Sequence, residues 1–326
     1  MSDIERDWWI FEGTGVPPKE LKAIPKAPPW RQFGDVERAR FLMDPPEIDL
    51  VNAALLLRRP LLITGIPGIG KSSLIHAVAR ELGLGEVLLW PINTRSKLQN
   101  GLFDYDAIGR LQEEERAKKS PAAAEKPSRA SKEDEAWEHL GKYVKLGPLG
   151  EAFLPSDRPR ALLIDEIDKS DIDLPNDLLN IFEEGTFEIP VLSRAPWRSV
   201  RVQPWSKSGE RVEIKEGRVT AKEFPFVVLT SNGERDFPQA FLRRCIRLKM
   251  EKPDETKLGN IVAAHLRREA SKQGDALIKE FLGLNVKDDL ATDQLLNAVF
   301  LTTQRKLEFG SNAPPALKDA LLKPMK

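Results

Sequence analysis

Residues 65–73 read GIPGIGKSS, and residues 162–169 read LLIDEIDK. The first matches GxxxxGK followed by Ser. Gly65, Gly68 and Gly70 let the backbone close around phosphate oxygens with its N–H groups turned inward. A helix beginning near Lys71 would aim the positive end of its dipole at the same anion. Lys71 is placed to bridge the outer phosphates, and Ser72 to offer its hydroxyl to Mg2+. Ile66, Pro67, Ile69 and Ser73 complete the stretch expected to wrap the phosphates. The competing reading is an ordinary glycine turn before a helix, and the acids downstream weigh against it.

Those acids end an apolar run, ALLIDE, at residues 161–166. A strand buried on both faces would deliver them at its C-terminal end, where open α/β sheets bind ligands. Asp165 is then the candidate Mg2+ ligand, directly or through water, and Glu166 the base that orients and deprotonates an attacking water. Asp168 and Lys169 read as helix-start residues or a subunit-contact pair. Asn232 follows a second buried run, FVVLTS, where a neutral amide could hold the same water and touch the terminal phosphate; an Asn in a strand-to-turn transition is the plainer alternative. Arg243 and Arg244 lie on a short helix soon after. Arg244 is the better candidate to reach a nucleotide bound to a neighbouring subunit, with Arg243 in support. A surface pair or an internal salt bridge is the alternative.

The elements needed to position these groups are legible in outline. An apolar run at 60–64 precedes the glycine loop, and Leu74, Ile75, Val78 and Leu82 recur at helical spacing after it. Residues 46–57 predict a helix with Ile48, Val51, Leu55 and Leu56 inward. Val87 to Trp90 predicts a strand, 95–111 a helix with a turn at Gly101, and Trp137 to Leu154 a helix broken at Gly147-Pro148. An amphipathic helix is expected over 174–184, ended by Gly185. A β-hairpin or small sheet is expected over 186–223, turning at Lys215-Glu216-Gly217-Arg218. Residues 112–136 are charged and alanine-rich with little to bury, a solvated excursion or a partner's docking site. Residues 1–45 are rich in proline and tryptophan, including Trp8, Trp9 and Trp30. They are expected to lie tied down on a surface of this subunit, a neighbour or another protein. From 251 to 326 the pattern is helical.

Composition narrows the classes. The 326 residues are enough for two domains, and 41% are hydrophobic. Fifty basic residues balance fifty acidic ones, which disfavours a nucleic-acid partner as a general expectation. The lone Cys245 excludes an intrachain disulfide. The N-terminal residues lack a signal-peptide apolar region, and no run suits a membrane span. The expectation is a cytoplasmic protein with no membrane association.

The order of these parts resembles the AAA+ ATPases, and within them the MoxR-type branch. The carrying stretches are GIPGIGKS (65–72), GPLGEAFL (147–154), LLIDEIDK (162–169), NDLLNIFEEGTFEIP (176–190), VLTSN (228–232) and FPQAFLRRC (237–245). The resemblance implies a P-loop αβα sandwich with a parallel five-stranded sheet over 46–250 and an all-helical lid over 251–326. It makes residues 65–72 the Walker A loop, Asp165-Glu166 Walker B, Asn232 sensor 1 and Arg244 the trans arginine finger. It further implies ATP and Mg2+ bound between subunits of a homo-oligomeric ring, usually hexameric. A chaperone-like remodelling role is implied too, often beside a protein with a von Willebrand A domain. The chain departs from the pattern in two places. The charged insertion lengthens the interval between Lys71 and Asp165, and the helix at 291–300 carries Asp293 where the family has a sensor 2 arginine, with Arg305 three turns later.

Two functions follow as expectations. One is a ring ATPase that remodels or assembles a protein partner. The other is an ATP-operated assembly switch or scaffold of a signalling or defence system with little turnover. The presence of Glu166 and Arg244 favours the first, the absent sensor 2 arginine the second. A Ras-like GTPase is disfavoured because no NKxD base-reading motif follows, and no acceptor pocket for a small-molecule kinase is identifiable.

Overall fold

The computed structural model of the chain describes residues 10, 27–31, 41–119, 139–194, 199–206, 210–265, 292–305, 317, 320 and 321. The chain divides into two compact units. One comprises Pro45–Thr64 and Ser72–Lys249, the other Met1–Asp44, Gly65–Lys71 and Met250–Lys326.

In chain order the elements up to residue 165 are α1 (Pro45–Leu57), β1 (Leu61–Thr64), α2 (Lys71–Leu82), β2 (Leu88–Pro91), α3 (Leu98–Leu102), β3 (Phe103–Tyr105), α4 (Ala107–Lys119), β4 (Val144–Leu146), α5 (Pro148–Ala152) and β5 (Ala161–Asp165). A 3-10 turn (Ile167–Lys169) follows, then α6 (Leu174–Glu184), β6 (Thr186–Glu188), α7 (Pro190–Ser193), β7 (Ser199–Val202), β8 (Val212–Lys215), β9 (Arg218–Thr220), β10 (Phe226–Ser231), α8 (Gln239–Arg244) and β11 (Ile246–Lys249). The larger unit is α/β, built on a parallel five-stranded sheet in the order β11-β1-β10-β5-β2.

Residue choice follows position in this sheet. The inner strands β1, β10 and β5 are covered on both faces, so LLIT, FVVLTS and ALLID are apolar until their last residues. The edge strands alternate instead: β2 buries Leu88 and Trp90 while Leu89 and Pro91 face out, and β11 buries Leu248 while Arg247 and Lys249 are exposed. β2 begins one residue later than the sequence predicts. β10 enters between β1 and β5, with Leu229 opposite both Leu62 and Ile164. The residues that leave the sheet after these strands therefore leave it together.

Several local expectations are corrected. α1 packs against β1 and β11 through Val51 and Ala54; Ile48 is 41% and Leu56 80% exposed. Three consecutive leucines at 55–57 wrap the helix and cannot share one face. In α2, Leu74, Ile75 and Val78 are buried, whereas Leu82 in the last turn is largely exposed. The helix expected over 95–111 is split: α3 ends at Leu102, and β3 pairs antiparallel with β4 before α4 begins. The helix expected from Trp137 to Leu154 is interrupted by the same pairing, with Val144 and Leu146 inward and Lys145 outward. A three-residue alternation is too short to outweigh flanking helical patterns in the sequence. Within the insertion at 112–136, α4 continues to Lys119, and residues 120–138 lie outside the described residues.

The expected hairpin is present inside a four-stranded antiparallel sheet of order β6-β9-β8-β7. Its turn is Glu216-Gly217 with φ of 56° and 67°, the two-residue geometry that matches the strand twist and favours Asn-Gly. A Cβ on Gly217 would also lie 2.4 Å from the backbone N of Ser193 in α7. Across the base of α4, Glu113 accepts the Tyr143 hydroxyl and lies 3.0 Å from His139 Nε2. The hydrogen bonds from Tyr143 and His139 hold Glu113 below the usual carboxylate range. Desolvation and then the Glu113 bond push Tyr143 up to about 12.

The second unit contains α9 (Glu255–His265) and α10 (Thr292–Arg305), which bury Leu258, Val262, Leu295, Leu296, Ala298 and Val299. The remaining expected helical stretches, 266–291 and 306–326 apart from residues 317, 320 and 321, lie outside the described residues, as do Trp8 and Trp9. Trp30 is tied to its own chain: Nε1 donates to Asn297 Oδ1 at 3.1 Å, and its ring meets Phe300 edge-on with centroids 5.7 Å apart. Asp44 pairs with Lys257 at 2.6 Å. No helix among the described residues is long and apolar enough to cross a membrane.

Two outcomes test these local arguments. Gly217→Ala should destabilise the chain by more than about 1 kcal/mol in urea denaturation, because the substitution is strained at positive φ and meets α7. Glu216→Asn at the same turn should stabilise it by a few tenths. Because the Glu113 carboxyl is lowered in the folded state, its contribution is present above the ordinary Glu range and lost as pH falls through the folded value. The melting temperatures of wild type and Glu113→Ala should therefore differ at pH 7 and converge as the solution is acidified.

Candidate functional site

The glycine loop closes on itself. Lys71 is 7% exposed, and its Nζ donates to the carbonyls of Gly65 at 2.7 Å and Ile66 at 3.0 Å. Gly70 has φ +98°, a conformation that disfavours any side chain, and a Cβ there would lie 3.2 Å from Phe41 Cε2. A Cβ on Gly65 would lie 2.9 Å from the Met250 carbonyl oxygen. Both positions need bare backbone. Pro67 and Gly68 are exposed at the crest, Ile66 and Ile69 are half-buried, and Ser73 is exposed one residue beyond Ser72.

Where β5 ends, a chain of hydrogen bonds runs from backbone to carboxylate. The Glu166 N–H donates to Thr230 Oγ1 at 2.9 Å, and the Thr230 hydroxyl donates to Asp165 Oδ1 at 2.6 Å. The Ser72 hydroxyl donates to the same Oδ1 at 2.7 Å. The two oxygens expected to serve a cation, Ser72 Oγ and Asp165 Oδ1, are thus adjacent. Ser72 is the residue after Lys71 in α2, so this pair is continuous in the chain with the loop. Thr230 carries no signal of this role in the sequence. The register that sets Leu229 opposite Ile164 makes Thr230 the neighbour of Asp165, and that pairing is invisible without the sheet order.

Glu166 departs from ordinary backbone, with φ 60° and ψ 49°. A non-glycine residue in the left-handed region costs on the order of 1 kcal/mol and recurs at functional sites. Its carboxylate meets Lys169 Nζ at 2.8 Å, and the hydrogen bond and charge of Glu166 raise the lysine above its ordinary range. Lys169 is therefore a partner of Glu166 within the chain. Asp168 is not a surface contact residue: it is 3% exposed, and its Oδ2 accepts the N–H groups of Asn232 at 2.9 Å and Glu234 at 3.2 Å.

Ser72, Asp165, Glu166 and Asn232 are thus gathered around the exits of β5 and β10. Arg244 is held elsewhere in the same unit. Its Nε pairs with Glu183 of α6, and Nη1 donates to the Ala240 carbonyl at 3.3 Å; both side chains of the pair are close to half exposed. Arg243 is exposed. Burial pushes the Cys245 thiol up to about 12, which removes it as a nucleophile at neutral pH.

Among the described residues no group of three or more His, Cys, Asp or Glu side chains could hold a metal. The donor set nonetheless suits magnesium bound with a polyphosphate. Mg2+ takes one or two protein oxygens and completes its shell from phosphate and water, and Ser72 Oγ and Asp165 Oδ1 are two such oxygens side by side.

Thr230→Val preserves shape, removes the hydroxyl from Asp165 and leaves the Glu166 N–H without its acceptor. It should lower stability by about 1–3 kcal/mol in chemical denaturation, and Thr230→Ser should restore most of the loss. Comparison with protein-family models and with curated proteins finds nothing that matches this chain.

Proposed function

We propose that the chain is a MoxR-type AAA+ ATPase that binds Mg-ATP at subunit interfaces of a ring oligomer and hydrolyses it to remodel or assemble a protein partner. One observation carries the reading: Ser72, directly after the buried Lys71 of the glycine loop, donates to Asp165 at the exit of a parallel strand. A hydroxyl and a carboxylate so joined, beside a loop whose lysine is drawn inward, have the chemistry of a Mg-nucleotide site.

In this reading the N–H groups of 65–71 hold the phosphates, and Lys71 exchanges its bonds to the Gly65 and Ile66 carbonyls for phosphate oxygens. Ser72 and Asp165 would hold Mg2+, which would supply positive charge against the outer phosphates. Glu166 leaves Lys169 to take the proton of the attacking water, and Asn232 orients that water. Arg244, released from Glu183, offsets charge on the phosphoryl group bound to the adjacent subunit. The oligomer is a homo-oligomeric ring, hexameric in the reading, and a von Willebrand A domain protein is the proposed class of adaptor. The helices at 255–265 and 292–305 belong to the all-helical lid domain of the family, and the setting is the cytoplasm.

Two ion pairs favour a second reading. Glu166 is held by Lys169 and Arg244 by Glu183, so both groups that turnover needs are engaged within the chain. Together with Asp293 at the sensor 2 position, this fits an ATP-operated assembly switch with little hydrolysis.

Mass photometry of wild type and Glu166→Gln with and without Mg-ATP, beside phosphate release, separates the readings. Assembly on ATP with steady release supports the motor. Assembly with negligible release supports the switch. A monomer under every condition, without hydrolysis, sinks both. Lys71→Ala should abolish ATP binding. Glu166→Gln should bind ATP but lower turnover about 10²–10⁴-fold. Arg244→Ala should lower it about 10³–10⁵-fold, and wild-type specific activity should rise with protein concentration. Full-rate hydrolysis by a dilute monomer would overturn the trans role of Arg244.

A further inference from the structure

We infer that Asp168 is a positioning residue for the proposed hydrolysis: its carboxyl clamps the turn after β10 and so fixes Asn232 at the exit of β5. The inference rests on the ATPase reading for its catalytic consequence and on geometry for the clamp.

The turn at 232–234 is exposed at its tip. Gly233 has φ +79°, a Cβ there would have nothing within 4 Å, and Gly233 and Glu234 are exposed. Apolar packing therefore does not set its shape. Side-chain oxygens do. Asp168 Oδ2 accepts the N–H of Asn232 at 2.9 Å and of Glu234 at 3.2 Å, and Ser231 Oγ accepts the N–H of Gly233 at 3.0 Å. All three consecutive N–H groups of the turn are taken by side-chain acceptors, two of them by one oxygen of Asp168. The next residue adds a further stitch, as Arg235 Nη1 donates to the Ser170 carbonyl at 2.6 Å.

Asp168 is buried to do this. Aspartate is rarely so buried unless it is paired, and Asp168 Oδ1 has no hydrogen-bond partner among the described residues. A carboxyl that leaves one acceptor oxygen buried and unused is a poor choice for local stability alone. It is a good choice for holding two donors of a turn from a fixed point, since the 3-10 turn that carries Asp168 leaves β5 directly after Asp165 and Glu166. The clamp ties the amide-bearing turn to the acid-bearing turn. A displacement of about 1 Å in a catalytic group costs about 10²-fold in rate, and the backbone N–H of Asn232 is the atom Asp168 holds.

The test uses the full chain and two readouts. In steady-state ATP hydrolysis, Asp168→Ala should lower kcat about 10²-fold with KM for ATP little changed. Asp168→Asn, which keeps an acceptor oxygen, should recover most of the loss. In an Asn232→Ala background, Asp168→Ala should cause little further loss. Multiplicative losses in the double variant, or a rise in KM with kcat intact, would overturn the positioning role. Hydrogen exchange of peptides covering 231–236, followed by mass spectrometry, reads the clamp without any turnover. Protection should fall in Asp168→Ala and persist in Asp168→Asn, and unchanged protection in the alanine variant would overturn the clamp. Should Asp168→Ala fail to fold, Asp168→Ser, whose hydroxyl is too short to span both donors, takes its place in each comparison. A wild-type chain that bound no ATP would refute the ATPase reading while leaving the exchange result to decide the clamp.

Discussion

The carboxylate oxygen Asp165 Oδ1 stands where a fully buried strand gives way to polar surroundings, and two hydroxyl groups hold it there. Ser72 reaches it from the helix after β1 and Thr230 from the end of β10. Both depend on the insertion of β10 between β1 and β5, which brings three separate stretches of chain to one exit. The inner strands are apolar because both faces are covered, so polar chemistry is confined to the residues at which they stop. The positions of Glu166, Asp168 and Asn232 all follow from this constraint.

The parallel sheet and the loop were readable because their signals are local. A continuous apolar run ended by acids, and glycines at fixed offsets before an amphipathic helix, carry their meaning within about ten residues. The hairpin at Glu216-Gly217 was readable for the same reason. What the sequence hid depends on partners far along the chain. Thr230 matters because of strand register. Asp168 points inward because the backbone N–H groups of Asn232 and Glu234 need an acceptor. β3 and β4 form because each supplies the other's hydrogen bonds, and neither has enough alternation to declare itself. Leu56 read as core on composition, yet the neighbouring strands meet the opposite side of α1. The left-handed backbone at Glu166 has no sequence signal at all, since glutamate is not a residue that favours it.

The proposed base and the proposed finger share a property that the loop lysine also shows. Each is engaged by a partner from its own chain: Glu166 by Lys169, Arg244 by Glu183, and Lys71 by two loop carbonyls. The first two pairs are partly exposed, so they contribute little to stability and exchange readily. The lysine is buried, so its bonds hold the loop in a defined conformation. The two exposed contacts are weak enough to give way, whereas the hydrogen bonds at Asp165 and Asp168 are made by part-buried and buried groups.

The two margins of the parallel sheet have a consequence for how copies of this chain can associate. Among the described residues no further strand adds to β2 or to β11. β2 ends in Pro91, which has no N–H to offer a new neighbour, and β11 turns Arg247 and Lys249 toward solvent. Proline and outward cations are the means by which natural sheets resist edge-to-edge growth and the fibrous aggregation that follows from it. Self-association that respects this blunting proceeds through helices and loops, where contacts are side chain to side chain and can be made and broken without peeling one backbone from another.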